Sequence, residues 1–136
     1  MLGGPVETLS THDDRAGSLL TRDYIHTLIA AEVAAGIPHD RIVLGGFSQG
    51  GAVALLAGLT APSALAAIVG MSCWLTLSKT FRDEQGFVPE GNPPNTKTPV
   101  LLCHGDEDKI VRYSFGEATA KLLKELGYSV KFSTYQ

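Results

Sequence analysis

The motif Gly45-Gly-Phe-Ser-Gln-Gly-Gly51 is the strongest indication of the fold, because it joins an apolar run, residues 41–45, to a helix-like run, residues 51–57. Strand, sharp turn with a serine at its apex, and helix is the setting expected of a nucleophile elbow. Gly46 and Gly50 stand on either side of Ser48, where we expect a β-carbon to collide with the facing backbone. The helix N-terminus would place free N–H groups near the Ser48 hydroxyl, which suits an oxyanion. A Gly/Ser turn without chemistry is the alternative interpretation.

The spacing of apolar residues indicates a layered α/β fold. It predicts helices over 19–33, 49–60 and 113–126, and strands over 41–46, 65–71, 99–103 and 129–135. Residues 1–17 are predicted to be an irregular lead-in, and residues 76–98, which contain several prolines and glycines, a long surface connection. Because strands and helices alternate, we expect a single domain, residues 1–136, built on a parallel sheet whose last strand lies near an edge.

Composition excludes several classes of function. The net charge is −3 and no cluster of Lys and Arg exists, so nucleic acid is not an expected partner. No His or Cys spacing suggests a metal site, and the two cysteines, Cys73 and Cys103, are expected to be buried and fit a reducing compartment. Residues 52–75 are mostly apolar, but Pro62 interrupts them, so we predict two buried elements rather than a transmembrane segment.

A cluster of acidic residues follows the third predicted strand in His104-Gly-Asp-Glu-Asp108. Ligands of open α/β sheets bind at this edge, and serine hydrolysis needs a carboxylate to orient a histidine. The elbow pattern also requires the chain order serine, acid, histidine. Asp106, Glu107 and Asp108 all compete for the acid, and a solvated loop or a cap for the next helix is the alternative interpretation.

The general base and the substrate pocket are less well marked. The histidines are His12, His26, His39 and His104, and none follows Asp108. The first three are expected to be solvated surface residues, while His104 is expected to order the turn at Gly105. Trp74 is a candidate for the wall of an acyl pocket, with core packing as the alternative.

Three segments in this order and spacing carry a family resemblance: residues 41–51, Ser72-Cys-Trp-Leu75 and Cys103-His-Gly-Asp-Glu-Asp108. They closely resemble the acyl-protein thioesterases and their lysophospholipase and carboxylesterase relatives, and the likeness extends over essentially the whole chain. The resemblance implies an α/β-hydrolase fold and a cytoplasmic serine hydrolase that needs no cofactor. The implied substrates are S-acylated proteins, in particular those carrying palmitate, together with lysophospholipids and small esters.

Matching the family's motifs residue by residue implies roles for five positions. Ser48 would be the nucleophile and the Gln49 N–H an oxyanion donor. Asp108 would be the acid, because it has the D-x-x-V spacing to the valine at 111. Trp74 and Leu75 would contact substrate. Position 112 is arginine where relatives usually have proline, which is a small departure.

The resemblance also implies two segments that the 136 residues do not contain: an earlier His-Gly loop with the second oxyanion donor, and a later Gly-x-x-His segment with the base. The chain therefore resembles the middle of a thioesterase, and a truncated gene model, a fragment and a degenerate paralogue all remain open. We expect the 136-residue chain to be inactive alone, its strand at 41–46 to be an exposed edge, and the chain to self-associate, possible homodimers included. The alternative function is a non-catalytic remnant that keeps a lipid- or protein-binding surface. A dienelactone-type hydrolase is disfavoured because such enzymes usually carry cysteine at the position of Ser48.

Overall fold

The computed structural model describes residues 13–89 and 93–136. Its elements follow the order α1 Arg15–Ala34, β1 Val43–Phe47, α2 Gln49–Leu59, β2 Ala67–Met71, α3 Ser78–Asp83, β3 Val100–Gly105, α4 Tyr113–Glu125 and β4 Val130–Tyr135. All strands are parallel, and their order in the sheet is β1-β2-β3-β4. The prediction of a layered, parallel α/β sheet is confirmed. The predicted positions of β1 and β4 at edges are confirmed as well.

Helix α1 begins earlier than the sequence pattern predicts. Asp14 caps it by accepting a hydrogen bond from the Gly17 N–H at 3.1 Å, so residues 15–17 of the predicted lead-in are helical, while residues 1–12 lie outside the described residues. The helix ends at Ala34, and Gly36 stops it as predicted, with a φ of +109° that suits glycine. The Ile37 N–H then bonds the Glu32 carbonyl at 3.1 Å, which closes a Schellman motif.

Helix α2 is the most buried element of the fold. Its residues from Gly51 to Leu59 are buried apart from Val53, and Gly58 lets the helix approach β2, since a β-carbon there would lie 2.7 Å from the Ile68 side chain. This confirms that the apolar stretch 52–75 contains two buried elements separated by a turn. Among the described residues, no helix combines the length and the apolar character required to cross a bilayer.

The described part of segment 76–98 is only partly the surface connection that its prolines and glycines predict: residues 82–86 are exposed, but both ends of the segment are buried. It contains α3, whose Phe81 packs in the core, and it contains Asn95, which is completely buried. The Asn95 amide oxygen accepts the Leu65 N–H at 2.9 Å, and its amide nitrogen donates to the Ser63 carbonyl at 3.1 Å. Thr98 donates to the same amide oxygen at 2.8 Å. The composition was misleading because these polar side chains satisfy buried backbone groups instead of meeting water.

One face of the sheet is packed and the other is open in the described residues. Ile68, Val100 and Leu102 point into the core on the packed face. The alternate positions form the open face, and the strand register places five large exposed side chains there: Val43, Phe47, Met71, Leu101 and Tyr135. Parallel sheets are normally covered on both faces, so this open face is unusual for the architecture.

Candidate active site

The turn between β1 and α2 forces Ser48 into an unusual backbone conformation. Its φ is 56° and its ψ is −123°, a region that costs a non-glycine residue about 1–3 kcal/mol. The Ser48 N–H donates to the Met71 carbonyl at 2.8 Å, while the Ser48 carbonyl accepts the N–H groups of Gly51 and Ala52 at 3.0 and 3.1 Å. The backbone is thus fixed on both sides. The side chain makes no capping hydrogen bond, so the hydroxyl is not engaged by the backbone at the start of α2.

Glycine is required at two positions of this turn, and only one of them is the expected one. A β-carbon on Gly46 would lie 2.2 Å from the carbonyl oxygen of Gly50, which confirms the collision predicted there. A β-carbon on Gly50 would meet nothing within 4 Å, so the prediction for Gly50 is wrong. Gly51 is the second tight position, because a β-carbon there would lie 2.6 Å from the Cys73 side chain. The buried thiol of Cys73, whose pKa burial raises to about 12, thus packs beneath the elbow.

Backbone donors hold the Asp108 carboxylate in the loop after β3. Its Oδ1 accepts the N–H groups of Ile110 and Val111 at 2.9 and 3.0 Å. These bonds, with the Val111 bond the stronger influence, lower the pKa of Asp108 below its usual value of 3.8, because they favour the charged form. Asp106 and Glu107 are exposed, whereas 21% of the Asp108 side chain is exposed. Of the three competing acids, Asp108 is therefore the least exposed, and backbone donors hold its carboxylate.

The parallel sheet brings Ser48 and Asp108 to the same side of the molecule, where the C-terminal ends of the strands lie. Ser48 directly follows the C-terminal end of β1, and Asp108 lies in the loop beyond the C-terminal end of β3. The register places Phe47 beside Met71 of β2, and Met71 beside Cys103 of β3, so one strand separates the two ends. This is the edge where open α/β sheets bind ligands.

A cleft of about 220 Å³ opens beside the start of α2. The first turns of α1 and α2 form its walls, and the half-buried Trp74 lines it together with Gln49. Thr76 also lines the cleft. Its hydroxyl donates a hydrogen bond to Asp13 at 3.1 Å, which links this wall to the residues just before α1. The sequence gives no sign of this contribution of α1, because the contact joins residues 63 positions apart and leaves no local pattern.

Leu75 does not line this cleft, which corrects its assignment as a substrate contact. Its side chain is completely buried in the core, and its N–H donates to the Thr119 hydroxyl of α4 at 2.9 Å. Leu75 instead fixes the backbone immediately after Trp74. Trp74 therefore places its ring at the cleft, while the side chain of the next residue, Leu75, packs in the core.

Of the described histidines, two lie within hydrogen-bond distance of backbone carbonyls and the third lines a small cavity. His26 was expected at the surface but is half-buried, and its Nε2 lies 2.8 Å from the Ala57 carbonyl, which joins α1 to α2. His39 is half-buried beside it at a cavity of about 50 Å³. His104 is buried, and its Nε2 lies 2.7 Å from the Val111 carbonyl. His12 lies outside the described residues. Within the described part of the chain, no group of three or more His, Cys, Asp or Glu side chains could hold a metal ion.

Comparison with known proteins agrees with this geometry. The sequence profile of the phospholipase/carboxylesterase family matches residues 4–136. Acyl-protein thioesterase 1 of Gibberella zeae is 50% identical over 134 residues, which are 98% of this chain and 55% of that protein. Its counterpart from Neurospora crassa is 48% identical over 134 residues, 98% of this chain and 53% of that protein. The chain thus spans about half the length of these relatives.

Solved structures show the same architecture. The crystal structure of Arabidopsis thaliana SOBER1 has a TM-score of 0.80 and 30% identity, over 91% of this chain and 56% of that one. Zea mays acyl-protein thioesterase 2 has a TM-score of 0.76 and 30% identity, over 92% of this chain and 58% of that one.

Proposed function

The chain belongs to the phospholipase/carboxylesterase family and has its α/β-hydrolase fold, and we therefore propose that it carries the nucleophile and the acid of a serine esterase. This esterase would act on acyl thioesters. The proposed substrates are S-acylated proteins, with lysophospholipids and small esters as further acyl donors. The observation that carries the proposal is Ser48, held in a strained elbow with its hydroxyl not used in capping. Strain of this kind persists where surrounding contacts maintain it, commonly at active sites.

Each residue has a defined part in the proposed reaction. A histidine oriented by Asp108 takes the proton of Ser48 Oγ as that oxygen attacks the acyl carbonyl carbon, and then returns it to the leaving thiolate or alkoxide. The Gln49 N–H, in the first turn of α2, donates to the oxygen that becomes negative. Trp74 would contact the acyl chain in the cleft beside α2. Water then releases the acyl group from Ser48 by the reverse sequence of proton transfers.

The 136-residue chain alone is proposed to be inactive. His26 and His104 are both bonded to backbone carbonyls, and no histidine follows Asp108 in the sequence. Without an imidazole on Oγ, the serine hydroxyl remains a weak nucleophile at neutral pH. The two free cysteines fit a reducing compartment, and a cytoplasmic location is part of the proposal.

A chimera tests the assignment. The segment of Gibberella zeae acyl-protein thioesterase 1 that aligns with this chain is replaced by this chain, so that the remaining 45% of that protein supplies the rest of the fold. A fluorophosphonate probe should label the chimera and not its Ser48→Ala variant. Hydrolysis of a palmitoyl-cysteine peptide, lysophosphatidylcholine and a 4-nitrophenyl ester then ranks the substrates.

The acid is tested in the same chimera. Asp108→Asn should lower kcat by about 10⁴-fold, because an amide holds the wrong imidazole tautomer. Asp106→Asn is the matched control and should retain turnover within a few-fold. Labelling of the Ser48→Ala variant would refute the assignment of Ser48 as the nucleophile. A greater loss of turnover from Asp106→Asn than from Asp108→Asn would refute the assignment of Asp108 as the acid. Turnover by the isolated 136-residue chain within about tenfold of the chimera would refute its proposed inactivity.

A further inference from the structure

His104 is a buried ionisable residue that the proposed reaction does not use. It lies at the penultimate position of β3, and only 1% of its side chain is exposed. Its ring is seated against α4: the Tyr113 ring meets it edge-on at 5.9 Å, and a β-carbon on Gly116 would lie 2.5 Å from its Nδ1. Such close packing fixes the ring in one orientation, with Nε2 directed at the loop of residues 105–111.

The contacts of Nε2 both involve the loop that carries the proposed acid. Nε2 lies 2.7 Å from the Val111 carbonyl, which can only accept, so Nε2 carries a proton and donates. The same atom lies 3.7 Å from Asp108 Oδ2. Val111 is thereby held from both sides, because its N–H donates to Asp108 Oδ1 while its carbonyl accepts from His104.

Because of these hydrogen bonds, the two oxygens of the Asp108 carboxylate have different surroundings. Oδ1 is engaged by the N–H groups of Ile110 and Val111, so Oδ2 is the oxygen that remains for a catalytic imidazole. We propose that His104 is a positioning residue, whose buried Nε2–H fixes Val111 and so keeps Asp108 Oδ2 directed at the histidine of the active site. This inference rests on the proposed function, since it assigns His104 a part in the same reaction.

Removing the Nε2 donor should therefore affect catalysis through Asp108. The Val111 carbonyl would lose its buried partner, the backbone at Val111 would shift, and the bond from its N–H to Oδ1 would lengthen. The cleft beside Trp74 is built from α1, α2 and the segment after β2, so substrate binding should not change. The expected signature is a loss in kcat at constant KM.

Two amide substitutions in the chimera distinguish positioning from packing. His104→Gln can place an N–H donor near the position of Nε2, whereas His104→Asn carries the same amide on a side chain too short to reach Val111. His104→Gln should keep kcat within a few-fold. His104→Asn should lose about 10- to 100-fold, the range seen when partners that orient metal ligands are removed. Tyr113→Phe, which keeps the ring beside His104, is the control and should leave kcat unchanged.

A double-mutant cycle distinguishes a positioning role of His104 from a purely structural one. In the Asp108→Asn background, His104→Asn should cost no further activity, because the group it positions is already disabled. Equal losses from His104→Asn in both backgrounds, or equal kcat in His104→Gln and His104→Asn, would overturn the inference. Absence of Ser48-dependent hydrolysis in the parent chimera would instead refute the proposed function, so the two failures are distinguishable.

Discussion

At the scale of single residues, Ser48 and Asp108 are ordered by backbone groups. The conformation of Ser48 costs about 1–3 kcal/mol, and the Met71 carbonyl and the first turn of α2 hold the serine there. In contrast to Ser48, Asp108 is not strained but stabilised, since two backbone N–H groups donate to its charged carboxylate. A strained serine and a carboxylate with satisfied hydrogen bonds suit the proposed reaction, in which the serine changes its bonding and the carboxylate keeps its charge.

The hydrogen bonds of Asp108 make the stability of the chain depend on pH. Because they lower the carboxyl pKa below 3.8 in the folded state, their contribution is complete well above that value and is lost as the pH falls through the native pKa. Asp108→Asn should therefore be less stable than the parent chain at about pH 7, and the difference should shrink below about pH 4. Urea unfolding across this range measures it. Glu107→Gln, at the exposed neighbour, is the control, and a constant difference from pH 7 to pH 3 would contradict the expectation.

At the scale of elements, local patterns were sufficient for the four strands and for α1, α2 and α4, but they missed α3 and were insufficient for the contacts between elements. The elbow was predictable because β1, the turn and α2 are contiguous and each has its own spacing of residues. Asn95 and Leu75 were misjudged because their partners lie 30 and 44 positions away. Polar composition indicated a surface segment, and only the packed fold reveals that the Asn95 amide completes buried backbone hydrogen bonds.

The turn between β1 and α2 offers a test with an internal control. Gly46→Ala should destabilise the chain by about 1–3 kcal/mol, because its β-carbon would press on the backbone of Gly50, which cannot yield. Gly50→Ala meets nothing within 4 Å and lies in a helix, where alanine is favoured over glycine by about 1 kcal/mol. It should be neutral or stabilising. Urea unfolding of both variants decides this, and similar destabilisation by the two would show that the turn is not packed as described.

At the scale of the whole molecule, the sheet is protected on one side only. The face that carries Ile68 and Leu102 is packed, while the opposite face of the described sheet exposes apolar side chains from every strand. Val43 is 58% and Leu101 is 42% exposed, and β1 also presents an edge of the sheet. Fully burying such a side chain contributes about 1.5–3 kcal/mol, so several of them compare with the 5–15 kcal/mol that stabilises a whole domain.

We therefore expect the purified 136-residue chain to self-associate through this face. Val43→Thr combined with Leu101→Thr should shift the population towards monomer, because threonine keeps the preference for strands while reducing the exposed apolar area. Leu20→Thr is the control, since Leu20 is 73% exposed on α1, away from the sheet face. Size-exclusion chromatography with light scattering measures the mass of each variant. A monodisperse, monomeric parent chain with a cooperative transition above about 55 °C would contradict the expectation, because the open face would then be compatible with an ordinary stable domain.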